Sequence, residues 1–78
     1  MRELTLQEQF KESYERSLEE FGTITKMVVA VKLPTGATEL IINTENIESK
    51  YEYYLNAYDE NMKLKNNTAI GIVGCLFV

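Results

Sequence analysis

Leu6, Phe10, Tyr14, Leu18 and Phe21 recur mostly four residues apart, and the intervening positions carry Glu8, Glu12, Glu15, Arg16, Glu19 and Glu20. This spacing makes one apolar stripe along an α-helix with a charged outer face. Thr5 and Glu8 stand in capping-box register and Gly22 is a natural terminator, so the pattern predicts a helix over 6–21. From Ile24 the period changes to alternation. Met27, Val29, Val31 and Leu33 fall on one face of a strand, and Val28, Ala30 and Lys32 on the other. Pro34-Thr35-Gly36 supplies a turn, after which a return strand over 37–42 sets Leu40 and Ile42 against Glu39 and Ile41. With Asn43 as cap and Ile42 and Ile47 as a hydrophobic staple, a second helix follows, its buried face marked by Ile47, Tyr51, Tyr54, Leu55, Tyr58 and Met62. Lys63 and Lys65 read as cations near its carboxyl end, and Asn66 and Asn67 as its stop.

The closing stretch from Ala69 to Val78 is almost unbroken in apolar or small residues. As a strand it puts Ile70, Ile72, Leu76 and Val78 on one face and Val73, Cys75 and Phe77 on the other, so each face needs a cover. Gly71 and Gly74 within it point to a close backbone approach or a bulge. The fold class is therefore α+β. An N-terminal helical extension, 1–26, precedes a ββαβ core, 27–78, in which a three-stranded, mainly antiparallel sheet packs on one helix. The last strand is expected antiparallel beside the first and at the sheet edge, where an apolar strand invites a symmetry mate. The expected contacts of such a homodimer are Phe10, Tyr14 and Leu18 from the helix and Ile72, Cys75 and Phe77 from the strand.

At 78 residues one domain is expected, and it buries too little surface to be more than marginally stable without a staple. A single cysteine closes no internal disulfide, and with no histidine there is no structural zinc set, which leaves self-association as the staple. The absence of histidine also removes the catalytic triad and imidazole proton transfer, so the chain reads as non-enzymatic and without cofactor. The net charge of −4, with scattered basic residues, argues against direct nucleic-acid binding. With no signal-like segment or long apolar run, and one unpaired thiol, neither a membrane nor an oxidising compartment is expected. Asn66-Asn67-Thr68 matches a glycosylation acceptor only by chance in that setting.

Two surface features suggest binding. Glu45, Glu48, Glu52 and Asp59 cluster on one flank of the second helix, a solvated face or a row that imitates a phosphate backbone. Tyr53 falls off the buried stripe, where an exposed tyrosine suits an interface anchor for a target or for a second copy.

The stretch from Val28 to Val78, with Ala30-Val31-Lys32-Leu33-Pro34-Thr35-Gly36, Asn43-Thr44-Glu45-Asn46-Ile47-Glu48-Ser49-Lys50, Tyr53-Tyr54-Leu55-Asn56-Ala57-Tyr58-Asp59 and the closing run from Ile70, resembles the very short ββαβ proteins of Bacillus-type phages and prophages. Among these it is similar to the Hachiman anti-defence family. The resemblance implies a homodimeric, non-catalytic protein, in the cytoplasm of a bacterial host, that binds and blocks an antiviral defence protein. It transfers no site residues, and the first helix lies outside it. An acidic nucleic-acid mimic acting on a host DNA-processing enzyme, and a small structural or assembly protein of a phage, are the alternative functions.

Overall fold

The computed structural model describes residues 3–78 and contains helix α1 (Leu6–Phe21), strands β1 (Met27–Lys32) and β2 (Thr38–Asn43), helix α2 (Ile47–Ala57), and strands β3 (Lys63–Leu64) and β4 (Asn67–Phe77). The class is α+β, with a fully antiparallel sheet of four strands in the order β2-β1-β4-β3. Helix α1 has the predicted bounds. The Thr5 hydroxyl accepts the Glu8 N–H and the Glu8 carboxylate accepts the Thr5 N–H, while Gly22, at φ 76°, closes the other end by donating to the Leu18 carbonyl.

Both helices lie on the same face of the sheet. Met27, Val29 and Val31 of β1 and Ile72 and Phe77 of β4 meet Phe10, Ile47, Tyr54, Tyr58 and Met62 there, in one core. The first helix thus shares the core of residues 27–78. Phe10 supplies its one buried side chain, the Gln7 N–H donates to the Glu60 carbonyl, and the Gln7 side-chain amide donates to the Leu55 carbonyl.

The sheet has four strands instead of the expected three, because the two-residue β3 adds beside β4, and four further expectations need correction. The second helix begins at Ile47 with Asn46 as its N-cap, whereas Asn43 ends β2. Asn43 is buried under α2, where its side chain donates to the Met27 carbonyl and accepts from Lys50 Nζ. That helix also stops at Ala57. Tyr58 and Met62 reach the core from a turn held by the Asp59 carboxylate, which accepts the N–H groups of Asn61 and Lys63, with Met62 at φ 55°. Lys63 accordingly lies on β3 and Lys65 in the following turn, so neither caps a helix. Finally, β4 pairs with β1 as expected but is not an edge along its whole length, because β3 pairs with its first half.

A bulge in β4 redistributes its side chains. Ala30 pairs with Gly74 and Val31 with Ile72, leaving Val73 as the extra residue. The alternation slips by one there, so Ile72 joins Cys75 and Phe77 on the helix side instead of opposing them. Gly71 meets the expected close backbone approach, since a Cβ there would lie 3.4 Å from the Met62 carbonyl oxygen.

Candidate functional site

The opposite face of the sheet has no covering layer among the described residues. Strict pairing sets Ile42, Val28 and Leu76 in one row across β2, β1 and β4, and Leu40, Ala30 and Gly74 in the next. Leu40 is 64% exposed, Ile42 62% and Leu76 56%, well above what an apolar side chain in a sheet shows when a second layer packs on it. Lys32 lies at one end of these rows. Lys26 lies at the other, where it exchanges backbone hydrogen bonds with Val78 at 3.0 Å each way. Both lysines are exposed, and a lysine stem covers apolar surface while its ammonium group stays in water.

The helix layer has the opposite character. Tyr14 of α1 and Tyr51 of α2 stack with ring centroids 3.7 Å apart, and Phe10 stacks on Tyr51 at 5.5 Å. Phe77 meets Phe10 and Tyr14 edge-on from below, at 5.4 Å from each. Burial raises the Tyr14 hydroxyl above its ordinary pKa, and the carboxylates of Glu48 and Glu52 raise it further. Burial likewise pushes Tyr51 up to about 12, with Glu15 and Tyr14 adding to the shift. Glu15, Glu48 and Glu52 therefore gather around one aromatic seam between the helices. The molecule is a slab, 36 by 34 by 19 Å, greasy on one broad side and acidic on the other.

Among the residues expected to bind a partner, Glu48 and Glu52 are exposed on α2, and Glu45 is exposed in the loop just before its N-cap. Asp59 is separated from them, beyond the helix end, with its carboxylate engaged in the turn. Tyr53 is exposed and touches only the Tyr54 ring edge among the aromatic contacts, at 5.4 Å. Among the residues expected to join two copies, Phe10, Ile72 and Phe77 are inside the single chain's core and offer no surface to a mate. Tyr14 and Leu18 are partly buried against that core. Cys75 is exposed as a residue but sits on the helix side, where burial raises its thiol pKa against the opposing effect of a hydrogen bond with Ser13. The surface that the reading missed is Leu40, Ile42, Val28, Ala30 and Leu76. Its signal was present in the apolar residues on both faces of the two hairpin strands.

A cleft of about 570 Å³ separates the end of α1 from the start of α2, lined by Tyr14, Leu18, Ile24, Thr44, Asn46 and Glu48. A smaller groove of about 350 Å³ runs between α1 and β4 past Leu6, Ser13, Val73 and Cys75. No group of three or more His, Cys, Asp or Glu side chains able to hold a metal is found among the described residues, and no helix there is long and apolar enough to cross a membrane. No protein-family model matches the chain, and neither curated proteins nor solved structures yielded a match.

Proposed function

We propose that this protein is a non-catalytic, phage-encoded inhibitor that acts as a homodimer and blocks a bacterial antiviral defence protein by binding it. The observation behind the two-copy assembly is the open apolar sheet face, with Leu40, Ile42 and Leu76 in water on a chain whose helices both pack on the other side. Such a face is stable in solution when it is covered by another protein surface. The target class comes from the resemblance to anti-defence proteins, and stoichiometric blockade requires no reactive group. The direct test is co-expression with a helicase–nuclease defence system in a phage-challenged bacterium. Plaques return and the protein purifies with one defence component at a fixed ratio; intact defence and no complex would refute the proposal.

A second reading is supported by the acidic helix layer. Glu15, Glu48 and Glu52 around the Tyr14–Tyr51 stack form a compact negative surface suited to the basic groove of a nucleic-acid-processing enzyme. Under that reading, neutralising Glu48 and Glu52 abolishes inhibition and target binding weakens steeply with salt. Asp59 belongs to the turn, so neutralising it leaves binding of the target by that surface unchanged.

A further inference from the structure

Gly74 follows the bulge residue Val73 in β4, and its missing side chain leaves a hole on the bare face of the sheet. Its φ lies outside the positive region, where only Gly22 and Gly36 among the glycines are found. A Cβ built on it would meet only the Ala30 Cβ, at 3.7 Å, an ordinary contact. Gly71, three residues earlier, makes the close approach to the Met62 carbonyl, whereas Gly74 follows the bulge residue Val73 and has open space on the bare face. A glycine in a strand interior weakens the strand, and it commonly marks a bulge or a place where another surface comes close. At Gly74 that place is on the bare face, beside Ala30.

The two rows of that face have complementary heights. Ile42, Val28 and Leu76 form a ridge; Ala30 and Gly74 form a trough walled by Leu40. The rows run side by side across the strands. A two-fold axis lying between them, in the plane of the face, turns each ridge onto the other copy's trough. Leu76 then seats over Gly74, Val28 over Ala30, and Ile42 against Leu40, twice by symmetry. Only a self-complementary surface meets this condition, and an isologous contact requires it.

We infer that the occupant of the bare sheet face is a second copy of this chain, docked with its Leu76 in the hole left by Gly74. The inference rests on the homodimer reading above and supplies its contact surface. The result is a β-sandwich with a helix layer outside on each side, sheets about 10 Å apart as face-to-face sheets pack. Docking covers Leu40, Ile42 and Leu76, which the single chain leaves 64%, 62% and 56% exposed. The same axis brings Lys26 of each copy towards Lys32 of the other at the rim. The dimer accordingly tightens as salt rises, whereas a foreign acidic partner on this face would be released.

The test is sedimentation equilibrium of the purified full chain at low and high salt, beside Gly74→Val, Ala30→Val and the double variant Gly74→Val with Leu76→Ala. The parent sediments as a dimer that is stronger in high salt. Gly74→Val keeps the parent circular dichroism and dissociates with about a tenfold or larger rise in Kd, and the shortened Leu76 in the double variant restores part of the affinity. If Gly74→Val does not fold, Ala30→Val fills the same trough and is read in its place. A monomeric parent, or a trough-filled variant that dimerises as the parent does, overturns the inference. No host protein is present in this assay. Its failure beside intact defence blocking refutes the interface alone, and a confirmed dimer without defence blocking refutes the functional reading alone.

Discussion

Replacing Phe10 by alanine and, separately, Ile42 by serine weighs the two faces of the sheet against each other. Phe10 is 3% exposed and is the only buried side chain of α1, in ring contact with Tyr51, Tyr54 and Phe77. Truncating a buried phenylalanine costs about 3–5 kcal/mol, and the lost ring pairs belong to the upper part of that range. At roughly 0.05–0.15 kcal/mol per residue, a domain of this length holds only about 4–12 kcal/mol in total. Phe10→Ala therefore removes a large share of the stability and undocks α1. Ile42, 62% exposed, loses few intramolecular contacts, so Ile42→Ser costs about 0.5 kcal/mol in the single chain. The assay is urea unfolding followed by far-ultraviolet circular dichroism, at dilutions where any dimer has dissociated. With a slope of about 1 kcal/mol per molar urea, the Phe10 variant's midpoint falls by about 4–5 M or the chain is already unfolded, and the Ile42 variant's midpoint barely moves. Equal losses for the two variants, or a Phe10→Ala loss below about 1 kcal/mol, would refute the division into a packed and an unpacked face.

Alkali should unfold the protein through its tyrosines. Tyr14, Tyr51, Tyr54 and Tyr58 all have raised pKa values in the fold, so the folded state holds protons that the unfolded chain has released; stability is flat below pH 10 and falls as pH rises from there through about 12. Unfolding midpoints measured beside tyrosinate absorbance check this, with Tyr51→Phe giving the shallower decline and an unchanged midpoint up to pH 11 speaking against it. The Cys75 thiol, raised by burial and partly restored by Ser13, alkylates more slowly than a free thiol near neutral pH, and Ser13→Ala slows it further; faster alkylation in that variant would contradict the assignment. Asp59→Ala leaves the N–H groups of Asn61 and Lys63 without their carboxylate, costing about 1–2 kcal/mol and speeding amide exchange at Lys63, whereas unchanged exchange would show that the turn holds itself.

Local signals in the sequence identify α1 and the first hairpin because each is bounded by its own chemistry: the Thr5–Glu8 box with Gly22, and the turn at 34–36. The end of α2 was not legible for a definite reason. Tyr54, Tyr58 and Met62 keep four-residue spacing, so the periodicity continues past Ala57, although the chain turns and reaches the core with Met62 in a left-handed conformation. Two residues are too few for alternation to reveal β3. The faces of β4 were misassigned because one bulge residue, Val73, is invisible to a pattern of period two. Ile72 and Phe77, expected to join two copies because each face of the strand needs a cover, are both used inside one chain. The open surface comes instead from the second face of the hairpin, where Val28, Ala30, Leu40 and Ile42 are apolar positions with no helix over them.

The central claim is that the bare side of the sheet is covered by an identical neighbour. A mixed sample, half carbon-13-labelled and half unlabelled, permits nuclear Overhauser effects to be recorded only between copies. The account predicts cross-peaks from the Leu76 methyls of one copy to the Gly74 α-protons of the other, and from Val28 to Ala30. A concentrated, folded sample with no such cross-peaks, and with the Leu40, Ile42 and Leu76 methyls in contact with water, would contradict it.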